Sequence, residues 1–355
     1  MSSPRTGADR ELPVFPYFEA RKYLVEAVAR WLPNELSKFA EKLVDLHLDP
    51  KNFPMPIKVD KVAMTRALQD GETLQQLRQY ISFEDTKTAA GICRVMVRTH
   101  LNRSGINFVS RGFSSKTLAE RVMVTFPVGL DPRRLVTWKA LTSNWLEFAK
   151  IARGQGTRDE KGKVLFSDED IASLERLSEI EGESYRSARD TAGIHNNWAR
   201  LVTGVYTGMT YLEKRHGFDA DRVWEGINEA SKSAKTARNL VKEASRSIDE
   251  YGPTLAGSFF ADLGASRFVK DDVHVVASIA AMMGVDTRDV RSEFAFNVMQ
   301  NSADVHGVTP RAVDKVMYLA CSTNLYLFNF RLDQSQAGLE KSKFLQFLDK
   351  HASQS

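Results

Sequence analysis

Cysteine is nearly absent: Cys93 and Cys321 are the only two in 355 residues. Two thiols cannot build a disulfide framework, a four-cysteine zinc site or a four-cysteine iron–sulfur cluster. The seven histidines, at 47, 100, 195, 216, 274, 306 and 351, have no metal-ligand spacing, so neither metal nor cofactor is expected. Long apolar runs are missing too. A bilayer span needs about 20 apolar residues, and stretches such as 275–285 and 316–330 are short or broken by polar side chains. No membrane partner is expected. The opening MSSPRTGADRELP lacks the apolar centre of a secretory signal and reads as a polar tail, so a cytoplasmic location is the expectation. Neither sign of charge dominates: 49 Lys and Arg face 45 Asp and Glu, a net charge of +4. That mild excess suits a nucleic-acid partner without establishing one.

What is present is an ordinary soluble composition, 43% hydrophobic and 26% charged, which can bury one large core or two closely packed ones. Over 17–32 the apolar residues Tyr23, Leu24, Ala27, Val28, Trp31 and Leu32 recur at helical spacing, and Pro33 ends the run. A second helix is predicted over 36–46, and more around Leu68, Leu74, Leu77 and Ile81. The β-branched and aromatic segments 106–111 and 121–126 predict a small β-hairpin. Helix returns over 133–151, a polar loop covers 153–166, and Ser167 opens a capped helix. From there to the end, nearly continuous helix is predicted.

The informative region is 232–275. In 232–248, Lys232, Lys235, Arg238, Lys242 and Arg246 step by three or four and share one helix face. Ala234, Ala237, Leu240, Val241, Ala244 and Ile248 fill the other side. Such a stripe is a phosphate-facing surface or simply a solvated one. Gly252-Pro253 then breaks the helix, with Pro253 suited to the first turn of the next. Backbone amides at such a step can hold a DNA phosphate. Next comes Lys270-Asp271-Asp272-Val273-His274-Val275. A carboxylate there can stabilise positive charge developing on a sugar or accept a proton, and Asp is equally a preferred helix N-cap.

The order helix, glycine hairpin, helix, Asp-x-His-Val resembles the helix-hairpin-helix DNA glycosylase superfamily. Gly252 stands twenty residues before Asp272, the family's spacing. Gly307-Val-Thr-Pro-Arg-Ala-Val-Asp-Lys-Val-Met-Tyr-Leu319 resembles a C-terminal helical segment of some members. The likeness covers about 230–330, is vague over 135–230 and is absent before that. It implies a mainly α, glycosylase-like fold over 131–355, with its hairpin at 249–256, behind a mainly helical region 1–130. It gives Asp272 the catalytic carboxylate's place. DNA contacts would come from Lys235, Arg238, Lys242, Gly252, Thr254 and Lys270. His195, Asn196, Asp271 and His274 would line the substrate pocket. One position departs: strand-cleaving members carry a lysine two residues after the hairpin glycine, where this chain has Thr254. Threonine cannot form a Schiff base, so lyase chemistry is not expected.

Other segments weigh less. Arg111-Gly-Phe-Ser-Ser-Lys-Thr117 resembles a phosphate loop but lacks its second glycine. Tyr206, Tyr211, Tyr318 and Tyr326 read as core aromatics with satisfied hydroxyls, and Cys321 as packing. Asn297, Gln300 and Asn301 are polar candidates without a geometry.

Three functions follow. The preferred one resembles the bacteriophage amino acid:DNA transferases, the α-glutamyl/putrescinyl-thymine pyrophosphorylase type. That resemblance implies transfer of an amino acid, such as glycine, onto phosphorylated 5-hydroxymethyluracil in DNA. The second is a monofunctional glycosylase excising a flipped base. The third is a DNA-binding protein without catalysis.

Overall fold

A computed structural model describes residues 12–103, 197–249, 251–322, 324–328, 330–331 and 334–352. The described residues are mainly helical, with fourteen α-helices and two short two-stranded sheets. They belong to two compact units: Met1–Ser82 with Ser266–Ser355, and Phe83–Ala265. The expected hairpin at 106–126, the helix and loop over 133–166 and the cap at Ser167 lie outside the described residues, as do the tail before residue 12 and the loop at 111–117.

The first unit opens with α1 (Tyr17–Trp31), which buries Tyr17, Ala20, Leu24, Ala27 and Val28. Pro33 ends it, as the sequence predicts, but the next helix is split into α2 (Asn34–Ser37) and α3 (Ala40–Leu48). The strand β1 (Pro56–Val59) leads to α4 (Lys61–Gln69), capped by Asp60, and to α5 (Leu74–Leu77), capped by a Thr73–Gln76 box. Ile81 does not continue a helix. It begins β2 (Ile81–Phe83), which pairs with β1. β-branched and aromatic side chains favour a pleated strand once a partner strand is at hand.

The second unit holds α6 (Ala89–Arg103), α7 (Asn197–His216), α8 (Ala220–Ala230), α9 (Ala234–Ser247) and α10 (Pro253–Leu263). Helix α6 packs against α7 and α10, and α9 against α8 and α10. A Cβ on Gly208 would come within 2.2 Å of the Met96 sulfur, so glycine is what lets α7 lie close on α6. Tyr251 is buried, and its hydroxyl donates to the carbonyl of Met96 at 2.7 Å, pinning the connection between α9 and α10 to α6.

The chain then returns to the first unit with α11 (Val273–Met283), α12 (Ser292–His306), α13 (Pro310–Ser322), β3 (Asn324–Leu325), β4 (Phe330–Arg331) and α14 (Gln334–Ala352). Helix α11 packs on α14 and α13, and α13 on α1 and α12. Continuous helix was expected over this stretch; instead Asn324 pairs with Arg331 and Leu325 with Phe330 in an antiparallel hairpin. The hairpin brings its turn onto α3. Buried His47 receives the amide of Leu327 on Nε2 at 3.3 Å and holds the carbonyl of Leu43 through Nδ1 at 2.7 Å. No described helix is long and apolar enough to cross a membrane.

Candidate functional site

Helix α11 is almost wholly apolar and buries Val275, Ala277, Ser278, Ile279, Ala280 and Met282. A helix this buried needs its first amides satisfied from within, because water cannot reach them. Asp272 does this: its Oδ1 accepts the amides of His274 at 2.8 Å and Val275 at 3.3 Å. Its Oδ2 lies 2.6 Å from the Lys270 ammonium, in a pair with side-chain exposures of 8% and 16%. Burial acts to raise the Asp272 carboxyl, but Lys270 and the His274 amide outweigh it, and the group ends below the ordinary carboxylate value. Asp272 is therefore an ionised carboxylate with both oxygens engaged. It is a poor proton acceptor and a good fixed negative charge.

Lys270 is held in turn. Its amide donates to Asp314 Oδ2 at 3.3 Å, and Asp314 forms a buried ion pair with Arg311 one turn away on α13. Asp271 turns elsewhere and accepts the hydroxyl of Ser292, the first residue of α12.

His274 is half-buried, its ring edge-on to Tyr318 with centroids 5.7 Å apart. Its Nδ1 is buried and has no hydrogen-bond partner among the described residues. Burial lowers its pKa most, with Lys341 and Lys270 acting in the same direction against Asp272 and Asp314. The ring is thus neutral near pH 7, with a nitrogen in reserve. Behind it, the Ser278 hydroxyl donates to the His274 carbonyl at 2.9 Å and lies 3.6 Å from the Cys321 sulfur. Burial pushes the Cys321 thiol up to about 11, so it is a packing group, as its apolar setting in the sequence predicts.

The other expected residues are spread over the chain. His195 and Asn196 lie outside the described residues. Gly252, Lys235, Arg238, Lys242 and Thr254 belong to the second unit, whereas Lys270, Asp271, Asp272 and His274 belong to the first. On α9 the predicted division of faces is present: Ala237, Leu240, Val241 and Ala244 are buried, while Lys235, Lys242 and Arg246 are exposed. Arg238 is half-buried, and Lys232 is paired with Glu229. Gly252 caps α10 with φ −64° and ψ 170°, no side chain closes that helix start, and a Cβ there would meet nothing within 4 Å. Gln300 and Asn301 have structural partners: Gln300 exchanges hydrogen bonds with Arg267 at 2.9 Å, and Asn301 donates to the carbonyl of Leu12.

Sequence reasoning missed Tyr318 and the Arg311–Asp314 pair as parts of this site. The spacing of Arg311 and Asp314 on an apolar helix was a visible signal, because buried charges survive only when paired. Among the described residues, no group of three or more His, Cys, Asp or Glu side chains is placed to hold a metal ion. The chain matches no family model, no curated protein and no solved structure.

Proposed function

We propose that the chain modifies a base in DNA, joining the amine of an amino acid to a phosphorylated 5-hydroxymethyluracil. In that step a C–N bond forms at the base's exocyclic carbon and the C–O bond to phosphate breaks. The amine's proton must leave. The observation that carries this reading is an ionised Asp272, bound to the His274 backbone amide and to Lys270, two residues from a neutral His274 imidazole whose Nδ1 is unpartnered. The imidazole takes the proton, and Asp272 steadies the imidazolium that results. The role given to Asp272 by resemblance alone thus passes in part to His274. The exposed Lys235, Lys242 and Arg246 supply sequence-blind attraction to DNA phosphates.

One observation favours a second reading, excision of the base. Both oxygens of Asp272 are engaged and its carboxyl is held ionised, which suits stabilising a cationic sugar.

Mass spectrometry of nucleosides separates the two. DNA containing phosphorylated 5-hydroxymethyluracil is incubated with the protein and mixed amino acids, then digested. An adduct heavier by one amino acid is expected, reduced about 100-fold or more in His274→Ala. Free base with abasic sites, lost in Asp272→Asn and retained in His274→Ala, would establish excision instead. DNA retained on the protein without either product would reduce the chain to a binding module.

A further inference from the structure

The second unit carries a polar cavity that the proposed reaction does not use. It is an open cleft of about 410 Å³ beside the last turns of α7 and α9, a volume in the range of small-ligand clefts. Its hydroxyls come from Thr207, Thr210, Tyr211 and Ser247, and its charges from Lys214, Arg215 and Glu243.

Tyr211 is the informative residue. It is 5% exposed, and its hydroxyl has no hydrogen-bond partner among the described residues. The sequence predicts a core tyrosine with a satisfied hydroxyl; the burial is as predicted and the hydroxyl is not satisfied. A buried polar atom left unpaired is costly, and a native fold keeps one where a ligand or water completes it. Burial raises the Tyr211 pKa, with Glu243 adding to this and Arg215 opposing it, so the group is a neutral O–H donor. Those two influences also place the hydroxyl near the charged wall of the cavity.

The charges do not cancel. Arg215 Nε sits 2.8 Å from Glu243 Oε1, which neutralises both. Lys214 is exposed and has no ion-pair partner among the described residues. Thr207 is fixed in place, because its hydroxyl oxygen accepts the Asp249 amide at 2.9 Å. Both helices present their C-terminal turns here, which offer no free backbone amides and whose partial negative charge opposes an anion, so the side chains must supply both the donors and the positive charge.

We propose that this cavity binds the phosphate group of a phosphate ester, with Lys214 supplying the charge and Tyr211 and Ser247 donating hydroxyl hydrogen bonds. Several donors around one spare cation match a tetrahedral oxyanion with many acceptor sites better than a two-oxygen carboxylate. Glu243, the single acidic acceptor in the wall, is placed to take a hydroxyl of the ester's organic part. The volume leaves room for a group of mononucleotide size. The same chemistry could be met by a free phosphate ester or by a backbone phosphate of DNA.

The test is calorimetric titration of the full chain with inorganic phosphate, adenosine 5′-monophosphate, adenosine and a short DNA duplex. We expect the monophosphate to bind at least about tenfold more tightly than adenosine, and Lys214→Ala to weaken it about tenfold. Tyr211→Phe, which keeps the ring and removes a hydroxyl left unpaired in the free protein, should weaken it about threefold to tenfold without lowering the melting temperature. If only the duplex binds, and both variants weaken it, the phosphate is that of the DNA backbone. Adenosine binding as well as its monophosphate, neither phosphate probe nor duplex binding, or both variants titrating like the parent would overturn the proposal. Arg66→Ala serves as a comparison, because it removes an exposed charge that neither lines the cavity nor belongs to the basic stripe.

Discussion

The starts of α10 and α11 face the same requirement and meet it in opposite ways. Each helix begins with amides that lack partners inside the helix. At α11 the requirement is met internally: Asp272 takes two amides, Lys270 takes the remaining oxygen, and the assembly is buried. At α10 no side chain closes the start, Gly252 is exposed, and the space where a Cβ would stand is open. The two residues that the resemblance pairs are thus physically unlike. One is a closed electrostatic unit and the other an open backbone surface. A closed start identifies its residues as necessary for folding whatever else they do. An open start has no folding reason to be glycine, because φ −64° suits any residue. Close approach of a ligand's phosphate to bare backbone would supply such a reason.

That contrast can be broken from its closed side. Asp272→Ala removes a cap and takes the Asp272 carboxylate from the partly buried Lys270, and should cost about 3 kcal/mol in denaturant unfolding. Asp272→Asn keeps an acceptor for the helix amides and should cost about half as much. Equal losses would mean that the cap contributes nothing beyond the ion pair.

A pH prediction concerns the other buried polar unit of the first compact unit. Burial lowers His47 to about 3, while the Leu43 carbonyl pulls upward and Lys315 downward. Its tautomer is fixed, since Nε2 accepts the Leu327 amide and cannot also carry a proton. The unfolded chain binds that proton near the ordinary histidine value of about 6.5. The folded state therefore binds fewer protons, and stability should fall as pH drops from about 6.5 towards 3. Unfolding free energies measured across that window should slope downward, and His47→Gln should flatten the slope while lowering stability at pH 7. A parent chain equally stable at pH 4 and pH 7 would contradict this.

Smaller effects sharpen the open side. Gly307 ends α12 at φ 65°, where only glycine is unstrained, so Gly307→Ala should cost about 1 kcal/mol. Gly252→Ala should change stability by only a few tenths of a kcal/mol. If its amides meet DNA, the same change should still weaken duplex binding severalfold. Loss of affinity without loss of stability is the signature to look for, and an unchanged affinity would leave Gly252 as an ordinary helix connection.

Much of the architecture was legible in the sequence because it rests on local rules. Helical spacing located α1 and the two-faced α9, Gly252-Pro253 marked the step between α9 and α10, and Asp272 was recognisable as an N-cap. Where local preference competes with a partner far along the chain, the reading failed. Ile81 and Leu325 lie in strands because other strands stand beside them, a fact no short window contains. Gln300 and Asn301 were polar candidates without a geometry, and Arg267 and the Leu12 carbonyl hold them. Tyr211 is the core residue it was read as, but its hydroxyl, expected to be satisfied, has no partner among the described residues.

By itself the sequence determined a mainly helical chain, its main breaks, and a short list of charged residues with chemistry to offer. Only the tertiary structure decided what state those residues are in. A pKa, a tautomer and an unpaired hydroxyl depend on which groups from distant segments arrive within about 3–6 Å. Lys270 beside Asp272 could have been guessed from proximity in the chain. The Asp314 carboxylate on the Lys270 amide, and Tyr318 edge-on to His274, come from folding alone.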